Sequence, residues 1–133
     1  MASFGKASYF KLHKVHWELV RLMEAVVIVR DISVVCGERN KEDQTRMLDE
    51  GKSELPWPLS KHNRTPQRPF VKAVDIVPWP EQYTDPLTMI YVAGIVIGIA
   101  SELHIPVRWG GDWDKDGDLN DQSFKDLWHF ETI

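Results

Sequence analysis

Ala73-Val74-Asp75-Ile76-Val77-Pro78 is an apolar, mostly β-branched run with one carboxylate inside it, and its reading decides the fold. Alternation on a two-residue period makes it a strand, with Asp75 on one face and Val74 and Ile76 on the other, and Pro78 closes it. A carboxylate set into such a strand needs a partner, because a buried unpaired charge is expensive. Ile32-Ser33-Val34-Val35-Cys36, stopping at Gly37, is a similar strand upstream; Val107-Arg108-Trp109 and Leu127 to Thr132 are two more downstream. Helical spacing appears between them. Leu12, Val15, His16, Leu19, Leu22, Met23, Val26 and Val27 recur at intervals of three and four, which predicts one helix over 11–29. A second helix is expected over 41–50, capped by Asn40 and ended by Gly51. A third follows Asp85 and Pro86, over 87–103, apolar nearly all round and therefore expected as the central core helix. Residues 52–71 hold four prolines and read as one long loop, a kind of segment that in a compact domain usually serves function. The order of elements lacks the alternation of a doubly wound sheet. The expected class is α+β, a small antiparallel sheet backed by helices.

With 133 residues, 43% of them hydrophobic and 27% charged, the chain has the composition of one globular domain. Sixteen lysines and arginines against 20 aspartates and glutamates give a net charge of −4, which argues against a dedicated nucleic-acid binder or a polybasic membrane anchor. The longest apolar run, Leu87 to Ala100, is about 14 residues, short of the roughly 20 that span a bilayer. No membrane insertion is expected. The segment from Met1 to Lys6 leads into an amphipathic stretch without the plan of a secretion signal. One cysteine, Cys36, permits no internal disulfide and has no adjacent base in sequence, so it reads as a small packed residue and not a nucleophile.

Of five histidines, His62 and His129 stand out: one in Ser60-Lys61-His62-Asn63, the other in Asp126-Leu127-Trp128-His129-Phe130-Glu131. With Asp75 they offer two imidazoles and one carboxylate, a set that leaves the fourth position of a tetrahedral zinc open for a water. The bland alternative is a solvated loop histidine, a packed strand histidine and an isolated acid. A second constellation runs from Asp112 to Asp121. Asp112, Asp114 and Asp116 alternate ahead of Gly117, with Asp118 and Asp121 after it, in the manner of a calcium loop, although Ser123 stands where such loops place a bidentate glutamate. An acidic surface turn is the competing reading. Trp57, Trp79, Trp109, Trp113 and Trp128 all fall near these motifs, as cleft walls or as packing.

Ser60-x-His62, Ala73-x-Asp75 and Asp126-x-Trp128-His129-x-Glu131 occur in that order, accompanied by Gly37-Glu38-Arg39 with Gln44, Gly51-Lys52-Ser53 and Trp109-Gly110-Gly111-Asp112-Trp113. In these motifs the chain resembles the zinc D-alanyl-D-alanine carboxypeptidase and L-alanyl-D-glutamate endopeptidase family, particularly the single-domain endolysins of bacteriophages. The resemblance implies a fold of the hedgehog and D-Ala-D-Ala-peptidase type. It implies zinc held by His62, Asp75 and His129, with Asp126 as general base and Arg39 polarising the scissile carbonyl. Gln44, Ser60 and Trp128 fall on the substrate-binding side, Gln44 supporting the wall and Ser60 orienting the loop. The implied activity is hydrolysis of an amide bond in the peptidoglycan stem peptide, foremost L-alanyl-D-glutamate. The alternatives are a D-alanyl-D-alanine carboxypeptidase and a non-catalytic metal-stabilised binding module. The expected protein is a monomeric single catalytic domain over 1–133 without a separate wall-binding domain, held in the host cytoplasm until release to the cell wall. Calcium at 112–121 would order the nearby catalytic strand.

One departure from the family stands out. His62 and Asp75 lie 13 positions apart, farther than in relatives, and the glycine that relatives carry between them is absent. A loop can bulge without moving its ends, at small cost in closure entropy, so the ligands are still expected to converge. Arg64, Arg68 and Lys72 on this insertion would either meet the acidic stem peptide or serve as solubilising charge.

Overall fold

A computed structural model describes residues 2–82 and 85–133; Met1, at the head of the segment read for a secretion signal, lies outside them. Its elements are α1 (Lys6–Leu12), α2 (Trp17–Val29), β1 (Ile32–Cys36), α3 (Lys41–Asp49), β2 (Ala73–Pro78), α4 (Pro86–Glu102), β3 (Val107–Gly110) and β4 (Asp126–Thr132). The four strands form one antiparallel sheet in the order β1-β2-β4-β3. The class is α+β, as the order of elements predicts. Among the described residues no helix is long and apolar enough to cross a membrane.

Val34, Val74, Ile76 and Phe130 join Leu19, Leu22, Met23 and Val26 of α2 and Met89, Val92 and Val96 of α4 in one buried cluster. This helix-backed layer is the stabilising part of the molecule, since each fully buried side chain of this size contributes about 1.5–3 kcal/mol. The alternation that sends Val74 and Ile76 into it turns Asp75 the other way.

Two sequence expectations need correction. The single helix over 11–29 is two helices, broken at 13–16, because Val15 forms a parallel bridge with Val71. There the His16 N–H donates to the Val71 carbonyl (2.9 Å) and the Val71 N–H donates to the Lys14 carbonyl (2.8 Å). His16 then caps α2, its Nδ1 accepting from the Glu18 N–H at 3.3 Å. The apolar spacing runs straight across this break, so periodicity alone does not reveal it. Likewise α4 packs against α2, β2, β3 and β4 as a core helix should, but it is not covered all round: Leu87, Tyr91 and Ile97 lie on its exposed side, 77%, 63% and 41% accessible, while Met89, Val92 and Val96 are buried. A chain of this length lays one layer of helices on the sheet, so an all-apolar helix still has an outer face.

The caps read from sequence hold. Asn40 Oδ1 accepts from the Asp43 N–H (2.9 Å), Asp85 Oδ1 accepts from the Thr88 N–H (2.8 Å), and Gly51 after α3 has φ of +74°, the left-handed conformation that ends a helix.

Candidate active site

Strand pairing builds half of the site. Asp75 on β2 is directly opposite His129 on β4, Ala73 is opposite Glu131, and Cys36 on β1 is opposite Asp75, which sets these side chains in neighbouring rows on the face away from α2 and α4. The long loop supplies the rest, because it bends back to bury His62 at 1% exposure beside them. That loop closes on itself: Arg68 donates to the carbonyls of Ser60 and Asn63, Arg64 donates to the Pro69 carbonyl and pairs with Glu38, and Thr65 and Arg68 form a bridge. These arginines are spent on the loop's own structure, and the 13-residue interval leaves His62 Nε2 only 3.1 Å from Asp75 Oδ1.

His62 Nε2, His129 Nδ1 and Asp75 Oδ1 make a nearly equilateral triangle, with sides of 3.1, 3.2 and 3.2 Å. The proton positions on both rings follow from their far sides. His62 Nδ1 lies 2.7 Å from the Gly37 carbonyl, which only accepts, so that nitrogen carries the hydrogen and Nε2 of the neutral ring is a bare lone pair. His129 Nε2 lies 2.8 Å from Glu131 Oε1, so His129 Nδ1 is bare by the same argument. With both rings neutral, three lone pairs therefore converge with no hydrogen between them, an arrangement favourable only around a cation, whether a proton shared with Asp75 or a metal ion. Three ligands of a tetrahedral zinc with bonds of about 2.0–2.1 Å stand about 3.3 Å apart, close to the sides observed. The residues fit such an ion. Cys36 Sγ is 3.8 Å from His62 Nδ1, the nitrogen turned away from the triangle.

The electrostatics agree. Burial works against a charged His62, but the Asp75 carboxylate outweighs it and pushes the imidazole up to about 10. Burial likewise opposes charging of His129, and Asp75 and Glu131 together still raise it. Asp75, against its own burial, is held far below the usual carboxylate range by the two histidines. Protonation of His62 thus stabilises the metal-free fold fully below pH 6.5, and this contribution is lost as pH rises through about 10. A metal taking the same lone pair must displace that proton. Uptake of a metal ion at neutral pH is expected to release it, with apparent affinity rising as pH climbs toward 10; calorimetry in buffers of different ionisation enthalpy reads the release directly.

Asp126 stands apart from the triangle yet near it. One of its oxygens lies within 4.8 Å of ligand atoms of Asp75 and His129, and burial together with the Asp75 charge raises its pKa. Its backbone is fixed by Gly110, where a Cβ would overlap the Asp126 carbonyl oxygen. Gly110→Ala is therefore expected to push Asp126 from its place and to lower any activity that depends on it at least tenfold without removing a bound metal ion, as rates and metal analysis of the purified variant would show.

Arg39, 8% exposed, closes the opposite wall: Nη1 donates to Gln44 Oε1 (3.0 Å) and Nη2 to Asp75 Oδ2 (3.4 Å). Gln44 is wholly buried, its amide nitrogen donating to Ser53 Oγ and the Leu55 carbonyl and its oxygen accepting from Arg39 and Asn63. It touches Arg39 and not the cleft, which corrects its placement on the substrate-binding side. Ser60 Oγ accepts from the His62 N–H at 3.1 Å and so shapes the turn that carries the histidine. Two clefts meet at Arg39 and Asp126. Trp128 lines one, and Trp113 and Lys61 line the other. The tryptophans divide accordingly: Trp113 lies against the His129 ring (centroids 5.4 Å apart), whereas Trp109 is buried against Phe130 and Trp57 sits under Lys41.

In the acidic loop, oxygens of Asp112, Asp114 and Asp116 lie within 4.8 Å of one another, and Asp112 Oδ1 is buried without a hydrogen-bond partner. The loop is otherwise tied within itself: Asp112 Oδ2 accepts from the Gly117 N–H, Asp116 Oδ1 from the Asp118 N–H, Asp118 Oδ1 from the Asn120 N–H, and Asp114 Oδ1 and Asp121 Oδ1 from the Gln122 amide. Gly117, with φ of +85°, makes the sharp turn between the two halves. The loop is joined to the histidine cluster through Trp113, whose indole donates to the Phe124 carbonyl (2.7 Å).

In the sequence Glu131 and Lys61 stand only as members of the two histidine motifs. Period-two alternation puts Glu131 on the same strand face as His129, and that signal alone marks it as a neighbour of the histidine.

A His-Asp-His cluster, a separate carboxylate and a buried arginine at the meeting of two clefts are the groups that a metal-assisted hydrolysis uses. The chain is a member of the phage L-alanyl-D-glutamate peptidase family, whose sequence profile matches residues 1–133. Among solved structures it is similar to the Serratia marcescens L-Ala D-Glu endopeptidase ChiX, at 27% identity and a TM-score of 0.74, over 98% of this chain and 90% of that one. No curated protein sequence matches it.

Proposed function

We propose that this peptidase is zinc-dependent and cuts the L-alanyl-D-glutamate bond in the stem peptide of bacterial peptidoglycan, working as a single-domain monomer after release from the host cytoplasm. The observation that carries the reading is the triangle of three lone pairs on His62, Asp75 and His129, with Asp126 beside it and belonging to none of its corners. A bound zinc would supply a Lewis acid and an acidified water at that point. Asp126 takes the proton of the attacking water, and its raised pKa suits it to pass that proton on to the leaving amine as the carbon–nitrogen bond breaks. Arg39 places a fixed, desolvated positive charge where the carbonyl oxygen gains negative charge, and Gln44 and Asp75 keep the guanidinium aimed. Trp113 and Trp128 give the two clefts aromatic walls for a sugar-peptide polymer.

Mass spectrometry of fragments released from purified peptidoglycan by the zinc-loaded protein tests this. New amino-terminal D-glutamyl peptides support it; free D-alanine would make the protein a carboxypeptidase instead, and no release with zinc confirmed bound would leave a non-catalytic binding module.

The acidic loop, in the same reading, takes a calcium ion on Asp112, Asp114 and Asp116, with Asp118 and Asp121 at its edge, and so steadies Trp113 against His129. The unpartnered buried oxygen of Asp112 supports it. A calcium-selective chelator should then reduce turnover of zinc-replete protein, and turnover indifferent to it would reject a calcium role.

A further inference from the structure

Glu131 lies outside the triangle, its part so far being only to mark which nitrogen of His129 carries the hydrogen, yet it is 8% exposed and surrounded by cations and a metal-facing ring. Its Oε1 accepts from His129 Nε2 at 2.8 Å; its Oε2 lies 3.1 Å from Lys61 Nζ and 3.8 Å from Arg108 Nη1. Lys61 in turn donates to the Thr132 carbonyl at 2.6 Å, and the Lys72 N–H donates to the Lys61 carbonyl at 2.9 Å. Lys61 directly precedes His62, and Glu131 follows His129 by two positions on the same strand face. The pair therefore ties the loop that delivers one imidazole to the strand that delivers the other.

We propose that Glu131 is a positioning residue for zinc, and that Lys61 acts through it. Glu131 fixes the Nε2–H tautomer of His129, turning the bare Nδ1 toward Asp75 and His62. Lys61 holds the carboxylate in the plane where it can do so and sets the spacing of the two histidine-bearing segments. A neutral imidazole otherwise divides its proton between two nitrogens and turns about χ2, and each wrong state removes one lone pair from the triangle. Carboxylates behind metal-binding histidines have this effect generally, and their loss weakens metal binding by about 10–100-fold.

The proposal rests on the zinc reading above, and its test separates the two. Zinc affinity is measured by competition with a chromophoric chelator, and the geometry of the site by the visible absorption of the cobalt-substituted protein. Glu131→Ala is expected to lose about 10–100-fold in zinc affinity and to alter the cobalt bands. Glu131→Gln keeps an acceptor for Nε2–H but loses the charge, so it should fall between wild type and Glu131→Ala, an order that loss of packing alone does not produce. Lys61→Met should weaken zinc binding in the wild type and add little in a Glu131→Ala background, because both changes break one linkage. Wild-type zinc affinity in both Glu131 variants would overturn the role of Glu131, and losses at Lys61 and Glu131 that simply add would overturn the action of Lys61 through it; both outcomes leave the zinc reading standing. Absence of zinc binding by the wild-type protein would overturn both. Should Glu131→Ala fail to fold, Glu131→Gln and the Lys61 variant decide the matter alone.

Discussion

Asp126→Ala is expected to bind zinc as the wild type does and to lose about 10²–10⁴-fold in turnover, the usual weight of a positioned general base. The expectation follows from where the residue stands. The three convergent atoms belong to His62, Asp75 and His129, and Asp126 contributes none of the sides of that triangle. Its removal takes away a proton acceptor and leaves the lone pairs in place. It also removes a carboxyl group whose pKa is raised by burial and by the nearby Asp75 charge, so the empty site should retain its fold. Zinc stoichiometry by elemental analysis and turnover on purified peptidoglycan, measured on the same preparation, give the answer. Near-normal turnover would remove Asp126 from the mechanism; a loss of zinc would make it a ligand.

His129→Ala should act in the opposite order, losing the metal first and activity as its consequence. Two lone pairs remain where there were three, and the ion no longer ties strand β4 to the loop of His62. In the wild type, zinc at a free concentration 1,000-fold above its Kd adds about 4 kcal/mol to folding stability. The variant should show almost none of that gain when melted with and without zinc. Unchanged stoichiometry in His129→Ala would place the metal elsewhere. The two variants together separate chemistry from coordination, since one should keep zinc and lose rate and the other should lose both.

Much of this arrangement is legible in the chain. The alternation at 73–78 already turns Asp75 away from the core, Asn40 and Asp85 announce two helix starts, and two histidines beside carboxylates nominate the cluster. What stays hidden depends on contacts distant in sequence. The break between α1 and α2 is made by Val71, more than fifty positions beyond Val15, while Leu12, Val15 and Leu19 keep the spacing of an unbroken helix. The exposed flank of α4 is set by how many layers the chain can build, which no local apolar run reports. Gln44 looks polar and available in sequence, but four hydrogen bonds to Arg39, Ser53, Leu55 and Asn63 occupy it. Glu131 and Lys61 are ordinary charges until the sheet register and the loop bring them together.

The loop between His62 and Asp75 has an engineering consequence. Its ends are held by the triangle and by Arg68, while Pro66 and Gln67 lie exposed at the tip of the Thr65–Arg68 turn. Interval length is thus uncoupled from ligand geometry, so a search pattern demanding one fixed interval would pass over chains built this way. The same tip offers a graft point: exposed loop tips tolerate inserted sequence, and a binding module spliced there would have its attachment outside the His-Asp-His cluster and away from the residues that line the clefts.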